Sequence, residues 1–275
     1  MEPIKFYKMS GSGNDFIIID NRTRIIDDID LSKFIRNVCR RKMSVGADGL
    51  ILIESSDKAD FRWQFYNSDG SRAEMCGNGA RCTARFAFVN GIAKESLSFE
   101  TDAGIVTGQV EGDRAKVKMP DPMDLRLDYR IDLENGHLTV SSINTGVPHV
   151  VVMEDDVAQI DVFALGREIR HHKAFAPAGT NVNFICRQAQ GQLAIRTYER
   201  GVEDETLACG TGSIAGALVT SSKFNWDSPI DLVTRSGELL RIHFNKKDNV
   251  FNNVYLEGDA RIIYTAQLGE EAWRF

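Results

Sequence analysis

Residues 75–79 read Met-Cys-Gly-Asn-Gly, and residues 208–212 read Ala-Cys-Gly-Thr-Gly. Their cysteines, Cys76 and Cys209, lie 133 residues apart. The same offset relates three further pairs of segments: 13–19 and 146–152, 46–48 and 179–181, and 101–104 and 234–237. Self-similarity at one fixed offset along most of a chain indicates a duplicated unit. The sequence therefore predicts two related halves, each carrying one cysteine.

Both halves are predicted to be rich in β-structure. Segments with β-branched or alternating apolar residues read as strands. They are 16–20, 50–54, 61–66, 98–101 and 115–119 in the first half, and 150–153, 183–186, 193–198 and 231–234 in the second. Apolar residues recur at helical spacing in 31–38 and again in 162–169, behind a candidate cap at Asp161. These two segments predict amphipathic, peripheral helices.

Two more helices are expected just after the cysteines, over 80–89 and 213–219. The segment 214–219 is apolar on every side, which is typical of a buried helix. Each cysteine is then at the N-terminus of a buried helix. The simplest architecture is an α+β unit, a curved mixed sheet around one central helix, present twice with a pseudo-twofold cleft between the copies.

The length of 275 residues also favours two domains. The best boundary is the segment 120–122, Pro-Asp-Pro, which follows the last strand-like run of the first half. We therefore expect domains over 1–120 and 121–261, with the strands of the second half beginning near Leu138.

Composition argues against several classes of protein. The chain is 43% hydrophobic and 26% charged, with a net charge of −6 and scattered basic residues, so no nucleic-acid or basic membrane surface is indicated. The start has no basic segment followed by an apolar one, and no apolar run has the length of a membrane span. We expect a cytoplasmic protein with a small polar substrate, and a homodimer is left open.

Five cysteines in a chain this long favour reduced thiols, with Cys39, Cys82 and Cys186 as core residues.

The placement of Cys76 and Cys209 suits acid/base chemistry. The thiolate is the working base, and a helix N-terminus lowers the pKa of a cysteine because its unpaired N–H groups favour negative charge. Glycines beside each cysteine, at 77, 79, 210 and 212, leave the backbone open to a ligand carboxylate. A carboxylate held between the two helices would place its α-carbon between the sulfurs. One group could then remove a proton from one face while the other delivers a proton to the opposite face, as in a two-base amino-acid racemase or epimerase.

Other interpretations of these segments remain. A single cysteine at a helix start is more often a small buried residue than a catalyst, and a Cys76–Cys209 disulfide is conceivable as an oxidised off-state. A zinc site of Cys76, Cys82 and Cys209 lacks the usual ligand spacing. The Gly-rich segment 10–14 precedes a strand rather than following one, so it fails the context test of a phosphate-binding loop.

Five longer motifs carry a resemblance to a known family. They are Gly-Asn-Asp-Phe at 13–16, Tyr-Asn-Ser-Asp-Gly-Ser at 66–71, Glu-Met-Cys-Gly-Asn-Gly-Ala-Arg-Cys at 74–82, Tyr-Glu-Arg-Gly at 198–201, and Glu-Thr-Leu-Ala-Cys-Gly-Thr-Gly at 205–212. Together they resemble the diaminopimelate epimerase family along the whole chain. The resemblance implies an epimerase that needs neither pyridoxal phosphate nor a metal. It would interconvert LL- and meso-2,6-diaminopimelate on the route to lysine and peptidoglycan precursors.

The resemblance also implies roles for individual residues. Cys76 and Cys209 look like the two acid/base thiols. The residues similar to the family's substrate contacts are Asn14, Asn67, Gly77, Asn78, Asn181, Glu199, Arg200, Gly210 and Thr211. His149 and Glu199 resemble positions that tune the thiols, although a packed histidine is an equal reading of His149. The family's last strand returns to the first domain, which would add 262–275 to it.

Two positions depart from the family pattern. Val147 stands where Asn often precedes Pro-His, and Gly49 stands where Gln often follows Asp48. Both changes would fall at the distal end of the substrate. The resemblance therefore predicts the contacts at that end less closely than it predicts the two thiols. A proline- or hydroxyproline-type epimerase, or a non-catalytic amino-acid binding protein on the same scaffold, remains the alternative.

Overall fold

The computed structural model describes residues 3–26 and 29–275. The chain forms two compact units: unit 1 comprises Met1–Val117 and Gly258–Phe275, and unit 2 comprises Lys118–Glu257. The domain division at residues 120 and 261 that the repeat suggests stays a prediction. In the part of the chain that the structure describes, no helix is long and apolar enough to cross a membrane.

Unit 1 is a mixed sheet with two helices. Its elements are β1 (Ile4–Gly11), β2 (Asn14–Asp20), α1 (Leu31–Cys39), β3 (Gly49–Glu54), β4 (Phe61–Asn67), β5 (Arg72–Ala73), α2 (Gly77–Val89), β6 (Ser96–Thr101), β7 (Gly104–Glu111), β8 (Arg114–Lys118) and the chain's last strand, β18 (Arg261–Leu268). Strand β1 pairs antiparallel with β2 and with β18. β2 is parallel to β3, β3 antiparallel to β4, and β4 parallel to β6, which leads into the antiparallel strands β7 and β8.

The strands β2 and β3 are apolar on both faces because each face meets a helix. Ile17 and Leu50 belong to the core cluster that includes Phe34 of α1. On the other face, Phe16 and Ile51 lie against the backbone of α2, close to Gly79. A continuous apolar run rather than strict alternation is the pattern expected of a strand buried on both sides.

Unit 2 repeats this order. Its elements are β9 (Met123–Leu133), β10 (Gly136–Asn144), β11 (Pro148–Met153), α3 (Val162–Arg170), β12 (Asn181–Ala189), β13 (Gln192–Glu199), β14 (Asp204–Thr206), α4 (Gly210–Phe224), β15 (Ile230–Val233), β16 (Leu239–Lys247) and β17 (Val250–Asp259). Strand β10 is antiparallel to β11, β11 parallel to β12, β12 antiparallel to β13, and β13 parallel to β15, followed by the antiparallel β16 and β17. The shared order of parallel and antiparallel pairs confirms the duplicated α+β architecture.

Helix α4 is the buried centre of unit 2. Every residue from Gly212 to Ser221 is buried, and the helix packs against seven strands of the unit, β9 to β13, β15 and β16. Helix α3 lies on the other face of β11 and β12, where Val162 and Ile169 pack against Val150 and Val152. Its N-cap is Asp161, whose side chain accepts from the amide of Ala164, as predicted.

Several boundaries and strands differ from the sequence-based expectation. Helices α2 and α4 begin at Gly77 and Gly210, three residues earlier than predicted, so the glycines belong to the first helical turn. The strands of the second half were expected to begin near Leu138, which is wrong: β9 precedes that residue. That strand is rich in charge on its exposed face, but its alternating apolar residues are half-buried, with Ile131 in the core of unit 2, and it pairs with β10.

Candidate functional site

Cys76 is the N-cap of α2. Its backbone is extended, with φ −148° and ψ 117°, and its carbonyl accepts the first helical bond from Ala80 at 2.8 Å. The amides of the first turn of a helix have no intrahelical acceptor and carry partial positive charge. The half-buried sulfur of Cys76 therefore lies where negative charge is favoured, beside the amides of Gly77 and Asn78.

Asn14 brings an amide group to this sulfur. The thiol of Cys76 donates to the Oδ1 atom of Asn14 at 3.6 Å, and the Nδ2 atom of Asn78 donates to the same oxygen at 3.5 Å. The Nδ2 atom of Asn14 donates to Asp48 at 2.7 Å. The structure thus brings together three of the residues singled out from sequence, and adds Asp48, which was not.

Asn67 lies at the end of β4, paired across the sheet with Gly49 of β3. Its side-chain amide donates to the Ser71 hydroxyl at 3.0 Å. A Cβ atom at Gly49 would lie 2.7 Å from both the Phe65 ring and the Tyr66 carbonyl oxygen. The close approach of strand β4 explains why this chain has glycine where the family pattern often has Gln.

Cys209 is the N-cap of α4, in the same geometry as Cys76. Its φ and ψ are −118° and 112°, and its carbonyl accepts from the amide of Ser213 at 2.9 Å. The sulfur is 3.5 Å from the hydroxyl oxygen of Thr211. Thr145, from the end of β10, donates to the carbonyl of Thr211 at 3.0 Å and ties the helix start to the sheet. Both predicted acid/base cysteines therefore begin a buried central helix in their own unit.

His149 is buried in a polar network that lies against the first turn of α4. Its Nδ1 atom is 3.1 Å from the Nδ2 atom of Asn183, which also donates to the Val150 carbonyl at 2.8 Å, and the Oδ1 atom of Asn183 accepts from Thr197 at 3.1 Å. Burial, with the charge of Arg200 adding to it, lowers the pKa of His149 to about 3. The side chain is therefore a neutral imidazole whose Nδ1 accepts from Asn183.

Gly212 shows how closely this network lies against α4. A Cβ atom there would be 2.2 Å from the Oδ1 atom of Asn183. Sequence reasoning missed Asn183 as a partner of His149, and Thr197 as a partner of Asn183. The available signal was an Asn inside a predicted apolar strand, since a buried amide needs hydrogen-bond partners.

Asn181, Glu199 and Arg200 come together where β12 begins and β13 ends. The side-chain amide of Asn181 donates to the Pro148 carbonyl at 3.1 Å and accepts from the backbone amide of Arg200 at 2.9 Å. The Arg200 guanidinium donates to the Ala178 carbonyl at 3.4 Å. Burial raises the pKa of Glu199, with the Thr206 hydroxyl opposing the shift. A buried carboxyl with a raised pKa is often found at a functional site.

The remaining thiols differ from the two helix caps. Cys39, Cys82 and Cys186 are buried, and burial raises the thiol pKa of both Cys39 and Cys82 to about 12. Within residues 3–26 and 29–275, no group of three or more His, Cys, Asp or Glu side chains is arranged to hold a metal ion. Cys76 and Cys209 differ from these three thiols in lying at helix N-termini, where the thiolate is favoured, although Cys209 is buried as they are.

Solved structures with this fold include several related proteins. A phenazine biosynthesis protein of the PhzF family from Bacillus anthracis superposes with a TM-score of 0.74 at 16% identity, covering 98% of this chain and 100% of that one. A hydroxyproline epimerase from Agrobacterium vitis, with bound trans-4-hydroxy-L-proline, gives a TM-score of 0.67 at 15% identity and covers 98% and 93% of the two chains. At these identities the likeness concerns the fold alone.

Sequence relatives are much closer. The diaminopimelate epimerase of Aquifex aeolicus is 42% identical over 283 residues, covering 99% of this chain and 100% of that protein. The diaminopimelate epimerase of Archaeoglobus fulgidus is 39% identical over 274 residues and covers 95% of each. The family model described as diaminopimelate epimerase matches residues 6–123 and 141–263, most of both halves. The chain therefore belongs to the diaminopimelate epimerase family.

Proposed function

We propose that this isomerase interconverts LL-2,6-diaminopimelate and meso-2,6-diaminopimelate through two thiols, Cys76 and Cys209. The observation that carries the proposal is the matched placement of these residues, each the N-cap of a buried central helix. One sulfur acts as a thiolate and removes the α-proton from one face of the carbon. The other acts as a thiol and delivers a proton to the opposite face, which inverts the centre.

The two helix starts also provide hydrogen-bond donors for the carboxylate of the substrate. Backbone amides at Gly77, Asn78, Gly210 and Thr211 are proposed to hold the carboxylate attached to the reacting carbon. Negative charge moves onto that carboxylate as the α-proton leaves. Donors already in position stabilise the charge without reorganisation, and this is usually a large term in such catalysis. The scheme uses neither pyridoxal phosphate nor a metal ion.

The remaining predicted contacts suit the other end of a substrate with two amino-acid groups. Arg200 can donate two parallel hydrogen bonds to a distal carboxylate, and its hydrogen bond to Ala178 is long at 3.4 Å. Glu199 can accept from the distal ammonium, and Asn67 and Asn181 can bind either group. We propose a cytoplasmic location with this role, and a homodimer remains open.

The test is proton exchange in deuterated water. Reduced protein is incubated with LL-diaminopimelate, and NMR follows loss of the α-proton signal together with formation of the meso isomer. Cys76→Ala and Cys209→Ala should each abolish epimerisation while the protein stays folded. Cys186→Ala, which removes a core thiol from β12, is the matched control and should turn over normally.

Other outcomes would change the assignment. Full activity in either helix-cap variant would refute the two-thiol mechanism. Exchange with proline or hydroxyproline, but not with diaminopimelate, would assign the chain to the proline-type epimerases. Tight binding of diaminopimelate by the reduced protein with no α-proton exchange would indicate a binding protein.

A further inference from the structure

The side chain of Asn14 is held at both ends. Its Nδ2 atom donates to the Oδ2 atom of Asp48 at 2.7 Å, and its Oδ1 atom accepts from the Cys76 thiol at 3.6 Å and from Asn78 at 3.5 Å. A carboxylate can only accept and an NH₂ group can only donate. The bond to Asp48 therefore determines that oxygen, and not nitrogen, faces the sulfur.

Asp48 is in turn part of a network of charges. The Nη2 atom of Arg41 lies 2.9 Å from Asp48 Oδ1 and 2.6 Å from Asp15 Oδ1, and Arg41 Nη1 is 3.1 Å from Asp15 Oδ2. The ammonium of Lys8 is 2.7 Å from Asp15 Oδ2. Burial alone would raise the pKa of Asp15, but hydrogen bonds from Arg41 and Lys8 hold it below its usual value. Several joined charges restrain a carboxylate better than one exposed pair does.

The orientation of the Asn14 amide has a chemical consequence at Cys76. An oxygen that accepts a hydrogen bond from S–H favours the protonated thiol, whereas an NH₂ group in its place would favour the thiolate. Arg81 of α2, which interacts electrostatically with Cys76, carries the opposing positive charge. The charged groups around Asn14 and Asp48 are Lys8 of β1, Asp15 of β2, and Arg41.

The position equivalent to Asn14 differs in the second half. Val147 stands at the position related to Asn14 by the 133-residue offset, and its side chain has no polar atom. The sulfur of Cys209 meets the hydroxyl of Thr211 instead. A hydroxyl can donate to a thiolate as readily as it accepts from a thiol. The two cysteines of the duplicated fold therefore lie in chemically different surroundings.

We propose that Asp48, held by Arg41, is a positioning residue that fixes the Asn14 amide oxygen toward Cys76 and keeps this sulfur as the proton-carrying thiol before substrate binds. The inference rests on the proposed function, in which one sulfur must start as a thiol and the other as a thiolate. Asp48 touches neither sulfur nor substrate in this scheme and acts through Asn14.

The test compares Asp48→Leu with Asp48→Asn in the substrate-free, reduced protein. Both variants remove the carboxylate charge. In Asp48→Asn, however, an amide oxygen in the place of Oδ2 can still accept from Asn14 and from the backbone amide of Asp15, with the NH₂ group then facing Arg41. Alkylation by iodoacetamide is followed across pH, with the Cys76 and Cys209 peptides quantified separately by mass spectrometry. In Asp48→Leu the Asn14 amide is free to turn, so the midpoint for Cys76 should lie about half to one pH unit below that of Asp48→Asn. The Cys209 midpoint should not change.

Further variants make the result decisive. In an Asn14→Ala background, Asp48→Leu and Asp48→Asn should give the same Cys76 midpoint, because the amide that Asp48 orients is gone. Arg41→Leu should move the midpoint in the same direction as Asp48→Leu but less, and it tests the proposal if Asp48→Leu fails to fold. Asp20→Asn, which removes a carboxylate at the far end of β2, should leave the midpoint unchanged.

Equal midpoints in Asp48→Leu and Asp48→Asn would overturn the proposal, since Asp48 would then act through its charge alone. An unchanged midpoint in all Asp48 and Arg41 variants would also overturn it. The alkylation readout needs no turnover. If the wild-type protein fails to exchange the α-proton of diaminopimelate, the proposed function fails, while the Cys76 midpoints still decide whether Asp48 positions Asn14.

Discussion

Acid should destabilise this protein through His149. The side chain is 1% exposed, and burial, reinforced by the charge of Arg200, lowers its pKa to about 3. In the unfolded chain a histidine titrates near pH 6.5. Below that pH the unfolded state binds a proton that the folded state excludes until about pH 3. The stability that the neutral imidazole allows is therefore complete above about pH 6.5 and is lost as the pH falls toward about 3.

The loss approaches about 1.4 kcal/mol for each pH unit below pH 6.5, where the unfolded histidine is half protonated, and totals about 2 kcal/mol between about pH 6.5 and pH 4.5. That is a large fraction of the 5–15 kcal/mol, roughly, by which proteins are stable. His149→Asn removes the titration while keeping an oxygen that can accept from Asn183. The variant is expected to be less stable at neutral pH, but its stability should fall less steeply on acidification.

The assay is urea unfolding of wild type and His149→Asn at a series of pH values, followed by far-UV circular dichroism. The difference between the two free energies of unfolding should shrink by about 2 kcal/mol from about pH 6.5 to pH 4.5. His137→Asn, which alters an exposed histidine on β10, should run parallel to wild type. Parallel curves for wild type and His149→Asn would refute the reasoning, because they would mean that His149 titrates alike in the folded and unfolded states.

Two further predictions follow from packing and burial. Gly212→Ala places a Cβ atom 2.2 Å from the Asn183 oxygen, so it should cost about 1–3 kcal/mol of stability and slow turnover; a thermal midpoint like that of Gly269→Ala, where an added Cβ meets no described atom within 4 Å, would contradict this. Cys39 and Cys82, whose pKa values burial raises to about 12, should stay unalkylated in the native protein at about pH 8 and react only after unfolding. Peptide mass spectrometry checks the second prediction, and labelling of either thiol as fast as a helix-cap thiol would count against it.

Much of the fold was predictable because its strongest features are local or periodic. The 133-residue offset between Cys76 and Cys209 indicated two related halves, and the apolar run 214–219 indicated a buried helix. Both are confirmed. Strand β9 was missed although its charged and apolar residues alternate at strand spacing, which was a usable signal. Its apolar face is only half-buried, with Ile131 in the core, and its other face is charged. The helix starts were placed three residues late because glycine has low helix propensity and reads as a loop.

The candidate site divides in the same way. The motifs predicted that Asn14, Cys76 and Asn78 belong to one site, and the structure brings their side chains together. Asp48 escaped notice because its contact with Asn14 depends on the parallel pairing of β2 with β3, which places residues 34 apart in sequence side by side.

The sequence by itself determined that this chain is a duplicated α+β protein with one thiol at the start of each central helix. Repeats and helix starts can be recognised from the sequence pattern alone. Tertiary structure alone decided the surroundings of those helix starts. The Asn14 amide at Cys76 is bonded to the carboxylate of Asp48, which lies just before β3, and the neutral state of His149 depends on the water excluded by the elements around it. Hydrogen bonds and burial between distant segments exist only after the strands have paired, so no local pattern could encode them.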